Sequence, residues 1–180
     1  MITLVTGSNG QLGKTIQSIV KNKSEFIFTD INSLDVTKKE KIESVITSHD
    51  INCIVNCAAY TDVDGAEIEK GKADALNSNA IKNLVEISES HKLRLIHIST
   101  DYVYNGINKS AISEYEYINP QNYYGVSKLN GEKHIENSIS ESIVIRTSWL
   151  YSSFGKNFVK TIIEKSKTKD LLKIVGDQYG

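Results

Sequence analysis

An α/β fold, with a doubly wound parallel sheet and helices on both faces, is what this sequence predicts. Three observations carry that expectation. Short apolar, β-branched runs alternate with amphipathic stretches along the whole chain. The spacing of these segments is that of βαβ units, whose right-handed crossovers place helices on either face of the sheet. A glycine-rich turn, Gly7 to Gly13, separates the first run from the first amphipathic stretch.

Ile2–Thr6 reads as the first strand and is broken by Gly7, and Gln11–Val20 has helical spacing through Leu12, Ile16, Ile19 and Val20. Phe26–Thr29 is the second strand. Thr37-Lys38-Lys39-Glu40 fits a capping box ahead of a helix carrying Ile42, Val45 and Ile46 on one face. Ile51–Ala59 is a third buried run, and Ala73–Ser90 follows with a stripe of Leu76, Ala80, Leu84 and Ile87. Arg94–Ser99 is the fourth strand, Gln121–Asn137 a helix entered through Pro120, Ser142–Thr147 the fifth strand and Asn157–Lys167 a helix. Leu172–Val175 reads as a sixth strand.

Composition narrows the class of function. The 180 residues hold 21 Lys+Arg against 22 Asp+Glu, net charge −1, which gives no footprint for nucleic acid or an anionic membrane. No apolar run approaches the ~18 residues of a membrane span, and Ile2–Val5 is too short for a signal peptide. A cytoplasmic protein is expected. Cys53 and Cys57, four apart on a strand, are separated by ~13 Å, too far for a disulfide, and no histidine stands at metal-ligand spacing. They are expected to be buried, reduced thiols, and His97 a structural histidine.

The turn Gly7-Ser8-Asn9-Gly10-Gln11-Leu12-Gly13 lets backbone approach a pyrophosphate while the following helix offers its N–H groups. Asp30, at the end of the second strand, stands where an acid binds the adenosine ribose. Dinucleotide binding, in a Rossmann-like domain, is the expectation. Tyr124 and Lys128, four apart at the start of a helix, share a face. A tyrosine can protonate the alkoxide formed in carbonyl reduction, and a nearby ammonium would lower its pKa; moving it from ~10 toward ~7 takes ~4 kcal/mol. Ser99-Thr100, at the carboxyl end of the fourth strand, supplies a hydroxyl for the substrate carbonyl.

Together Gly7/Gly10/Gly13, Ser99-Thr100 and Tyr124/Lys128 resemble an extended short-chain dehydrogenase/reductase. Asn9–Gly13, Asn56–Asp64, Ser99–Tyr104, Tyr124–Lys128 and Arg146–Tyr151 are closely similar to the dTDP-4-dehydrorhamnose reductase family over essentially the whole chain. The resemblance implies that Gly7 and Gly13 belong to the cofactor-binding turn, that Gly10, Gln11 and Leu12 contact the cofactor pyrophosphate, Asp30 the ribose, and Asp35 and Val36 the adenine. It implies that Ala58, Ala59, Tyr60 and Ile98 line the cofactor pocket. Thr100, Tyr124 and Lys128 would be the catalytic set, with Tyr124 and Lys128 also holding cofactor. Thr100, Asp101, Tyr124 and Trp149 would face the sugar. NADH is favoured by Asp30, while the family also accepts NADPH, so both stay open. Metal dependence and a homodimer occur in the family, and no residue here decides either.

The implied substrate is a dTDP-linked ketosugar, reduced at C4. Two alternatives stay open: a reductase of another nucleotide-linked ketosugar, and a non-catalytic dinucleotide-binding subunit like that of methionine adenosyltransferase. The chain is expected to be the N-terminal, NAD(P)-binding part, residues 1–180, of a longer reductase whose C-terminal substrate lobe is missing. Such a piece should bind dinucleotide without reducing ketosugar.

Overall fold

The protein is described by a computed structural model over residues 1–107, 110–174 and 176. Five strands, β1 (Ile2–Thr6), β2 (Phe26–Phe28), β3 (Ile51–Asn56), β4 (Arg94–Thr100) and β5 (Ser142–Thr147), form one parallel sheet in the order β2-β1-β3-β4-β5. Seven α-helices accompany them among the described residues: α1 (Gln11–Ile19), α2 (Lys39–Ser48), α3 (Val63–Ile68), α4 (Lys70–Asp74), α5 (Ala80–His91), α6 (Tyr123–Glu136) and α7 (Phe158–Ser166). The expected α/β architecture is present. Leu172–Ile174 form no strand, contrary to the sixth-strand expectation, and Val175 lies outside the described residues, as do Asp177–Gly180.

Register builds the core. Ile27, Leu4, Ile54 and Leu95 are lateral neighbours across four strands, so their side chains make one apolar ridge. Ile42 and Ile46 of α2, Ile81, Leu84 and Ile87 of α5 and Ile135 of α6 close over it. The opposite row runs Phe28, Val5, Val55, Ile96, Ile143, and burial falls along it, from fully buried Val5 to mostly exposed Ile143. The two faces are therefore unequally covered.

Two local features depart from the sequence reading. The Thr37 hydroxyl does not cap α2; it donates to the Asp35 carboxylate at 2.7 Å, a charged acceptor that outcompetes a backbone N–H. The long helix expected over 73–90 is interrupted at Ala75–Asn79 by a π-helical turn. That turn has a use: Asn77 accepts from the Tyr60 backbone N–H at 2.9 Å and donates to its carbonyl at 3.0 Å, fixing the loop that leaves β3.

Candidate active site

The chain runs from β1 out to β2 and then crosses back to β3 on the other side of β1, so the winding reverses between β1 and β3. Ligands of such sheets bind beyond the carboxyl ends of the strands at that reversal. A cleft of about 830 Å³ lies there.

Its floor is the glycine turn. Gly7 has φ +63°, and a Cβ there would stand 2.6 Å from the Ala58 nitrogen, so only glycine lets β1 leave the sheet this close to the loop after β3. A Cβ on Gly13 would stand 2.5 Å from the Ser8 Cα, so that glycine lets α1 pack on its own turn. At Gly10 the nearest atom is the Gly7 carbonyl oxygen, at 3.2 Å. Gly7 and Gly13 are thus demanded by the fold itself, while Gly10 caps α1 without any side-chain hydrogen bond. The helix N-terminus is left open, as an anionic group requires.

Asp30 stands at the far side. Backbone N–H groups of Asn32 and Ser33, both at 3.1 Å, and the Ser33 hydroxyl hold its carboxyl below the usual range, so it is ionised at neutral pH. The Asn9 amide also donates to it, tying the glycine turn to β2. Gly7, Gly10, Gln11, Leu12, Gly13, Asp30, Val36, Ala58, Ala59, Ile98, Thr100, Asp101, Tyr124, Lys128 and Trp149 all line the cleft. Two expected cofactor residues do not. Asp35 is bound to Thr37, and the Tyr60 hydroxyl turns outward to Glu69 at 3.0 Å. The Gln11 side chain is also engaged, donating to the Leu150 carbonyl at 2.8 Å and accepting from Asn157 at 2.9 Å, which lays the segment after β5 along the turn.

The reactive end is built by β4 and α6. Asn122 caps α6 by accepting from the Gly125 N–H at 2.8 Å. A Cβ at Gly125 would strike the Tyr102 carbonyl, so glycine there lets α6 press Tyr124 against the end of β4. Thr100 accepts from the Tyr102 N–H at 3.2 Å and donates to Asp101, closing the short turn beyond β4. Burial pushes the Tyr124 phenol up from its ordinary value, with Asp101 and Tyr102 adding to the shift and the Thr100 hydroxyl opposing it.

The Lys128 ammonium nitrogen donates to the Ile98 carbonyl at 2.6 Å and meets His97 Nε2 at 3.2 Å, so its contacts run to β4. The side chain is 1% exposed, and burial brings its pKa from 10.5 down to about 8. A lysine depressed in the fold costs stability wherever the unfolded chain would hold the proton more tightly. That cost is full below about pH 8 and vanishes above about 10.5. Lys128→Met should therefore be more stable at pH 7, by about 1–2 kcal/mol after the lost hydrogen bond to Ile98 is counted. Urea denaturation of both proteins from pH 7 to 10 should show this advantage shrinking as pH rises; an advantage independent of pH would contradict the assignment.

One participant, Glu132, lies outside every motif segment that the sequence singles out. Glu132, 1% exposed, accepts a hydrogen bond from Ser99 and a double one from Arg146 (Nη2 at 2.6 Å, Nε at 3.2 Å to the same oxygen). Arg146 also donates to the Tyr104 hydroxyl at 2.8 Å. Trp149 holds φ +49°, a left-handed conformation rare for a bulky residue, with its ring edge-on to Phe158 at 5.5 Å. Cys53 is buried; Cys57 is half-buried in the cleft wall, its thiol pushed up to about 11 by burial. Among the described residues no helix is long and apolar enough to cross a membrane, and no cluster of three metal-ligating side chains occurs.

The fold and cleft define a Rossmann-like α/β protein. The family profile described as the RmlD substrate binding domain matches residues 1–180, and the chain belongs to that family. It is similar to dTDP-4-dehydrorhamnose reductase of Aggregatibacter actinomycetemcomitans, 38% identical over 98% of this chain and 61% of that protein. The crystal structure of a dTDP-4-dehydrorhamnose reductase from Clostridium acetobutylicum superposes with TM-score 0.94 at 41% identity, over 99% of this chain and 64% of that one. The Bacillus anthracis dTDP-4-dehydrorhamnose reductase in complex with NADP gives TM-score 0.89 at 36% identity, over 94% of this chain and 61% of that one. The chain thus spans about three fifths of the length of these relatives.

Proposed function

We propose that residues 1–180 are the NAD(P)H-binding domain of a dTDP-4-dehydrorhamnose reductase, which reduces the C4 ketone of a dTDP-linked 6-deoxyhexulose. The observation that carries this reading is the convergence of Thr100, Tyr124 and Lys128 on the cleft whose floor is the Gly7–Gly13 turn. The residues fit a dinucleotide: an uncapped helix N-terminus for the pyrophosphate, ionised Asp30 for ribose hydroxyls, and apolar Leu34 and Val36 beside it for a base. The bound nicotinamide supplies the hydride.

The chain's own residues supply the rest. Tyr124, with its pKa raised, keeps its proton at neutral pH and is the donor to the developing alkoxide. Thr100 offers its hydroxyl to the same oxygen. Lys128 stands one helical turn behind Tyr124, where a ribose hydroxyl would be held. Trp149, 47% exposed, offers a flat apolar face to the sugar or its base. An intact Thr100/Tyr124/Lys128 set supports a reductase over a non-catalytic binding subunit. The similarity to dTDP-4-dehydrorhamnose reductases supports this sugar class, and a cytoplasmic location goes with the reading.

Calorimetric titration of the chain with NADH and NADPH tests it. Saturable binding of at least one is expected, and Gly10→Val should weaken it by more than tenfold by placing a branched side chain where backbone meets phosphate. Equal affinity in the variant would remove the turn from the site.

A further inference from the structure

The segment that follows β5 is stitched to the glycine turn at several points. Trp149 and Gly155 both take left-handed backbone, at φ +49° and +66°, and the chain between them returns to the start of α1. The Gln11 side chain receives it twice, donating to the Leu150 carbonyl and accepting from the Asn157 amide. Asn157 in turn donates to the Ser152 carbonyl at 2.8 Å, while its oxygen caps α7 by accepting from the Lys160 N–H at 3.0 Å. Lys160 Nζ donates to the carbonyls of Ser153 at 3.1 Å and Gly155 at 2.9 Å. The approach is tightest at Gly155, where a Cβ would stand 3.2 Å from Gln11 Cβ and 3.7 Å from its backbone nitrogen, in the first turn of α1. Lys156 is the next residue, and it lines the cleft.

The charges around the cleft give that position its meaning. The carboxylates among its described lining residues are Asp30 and Asp101, and the cations are Lys128 and Lys156. Lys128 is buried and donates to the Ile98 carbonyl. Lys156 is exposed and makes no ion pair among the described residues. A dinucleotide brings two negative charges at its pyrophosphate, and the open end of α1 offers about half a unit of positive charge against them. A mobile ammonium at the same helix end supplies what the backbone lacks.

We propose that residues 148–157 form a strap that holds Lys156 beside the first turn of α1 as the cation for the dinucleotide's pyrophosphate. This rests on the dinucleotide reading of the cleft. Asn157 is a positioning residue that acts through Gln11, and Gly155 supplies the left-handed turn that brings the strap against it. A nucleotide-sugar also carries a diphosphate, the same chemistry. The strap meets Gln11 on the glycine turn rather than Thr100 or Tyr124, which assigns Lys156 to the dinucleotide.

Calorimetric titration with NADH, and with ADP-ribose, which keeps the pyrophosphate and lacks the nicotinamide, tests this without any turnover. Lys156→Met should weaken both by a common factor of about three to ten, the scale of one exposed charge-assisted contact, and flatten the dependence of affinity on salt. Lys156→Arg should keep most of the affinity. Asn157→Ala should weaken both ligands, and adding Lys156→Met to it should cost less than in the native protein. Unchanged NADH affinity in Lys156→Met overturns the proposal, as does a loss confined to NADH or confined to dTDP. Fully additive losses in the double variant overturn the strap. A native protein that binds neither NADH nor ADP-ribose defeats the dinucleotide reading itself and the role of Lys156 with it.

Discussion

Tyr124→Phe should lower ketosugar reduction by roughly 10²–10⁴-fold, the range for losing a positioned general acid, with dinucleotide affinity changed by less than about twofold. The substitution removes one oxygen. The ring keeps its edge-on contact with Tyr102 at 5.8 Å, and its neighbour Gly125 still seats α6 against the end of β4, so the cleft persists. What is lost is the proton. Because burial raises the Tyr124 pKa, the phenol is protonated throughout neutral pH, and native reduction should decline only on the alkaline side, as Tyr124 ionises and Lys128 loses its charge. Steady-state reduction of a dTDP-ketosugar by the whole gene product, from pH 6 to 10, measures both effects. Near-native turnover by the variant would remove Tyr124 as proton donor and return that role to another hydroxyl of the cleft, Thr100 first.

Arg146→Leu should destabilise the fold by about 3–5 kcal/mol, the scale for leaving a buried carboxylate without its partner. Arg146 gives Glu132 a bidentate pair at a site where the carboxylate side chain is 1% and the guanidinium side chain 17% exposed. With Arg146 gone, among the described residues only the Ser99 hydroxyl still donates to Glu132. The double variant Arg146→Leu/Glu132→Leu removes both charges and should recover most of the loss, since the pair itself contributes little net stability once its desolvation is counted. Urea denaturation of the native, single and double variants separates the cases. If both variants lose the same amount, the network matters through packing rather than charge. The network joins β4 at Ser99, β5 at Arg146 and α6 at Glu132, and two of these elements, β4 and α6, carry Thr100, Tyr124 and Lys128.

Much of this was legible in the residue order. The five strands, the βαβ winding and the glycine turn follow from local patterns, because a strand's apolar run, a helix's periodic stripe and a glycine's conformational freedom are properties of neighbouring residues. The pairing of Tyr124 with Lys128 on one face is a helical spacing. Even the burial of Cys53 is a local expectation. Tertiary structure decided everything that depends on atoms far apart in sequence meeting. Thr37 gave up its cap because Asp35 offered a charged acceptor, and Tyr60 left the cleft because Glu69 took its hydroxyl. Lys128 faces β4 rather than Tyr124 because the Ile98 carbonyl and His97 lie within its reach. His97, Glu132 and Arg146 belong to two strands and a helix, and no spacing along the chain brings them together. Their roles are set by a buried, low-dielectric interior in which each donor must find an acceptor, and that accounting exists only once the sheet has formed.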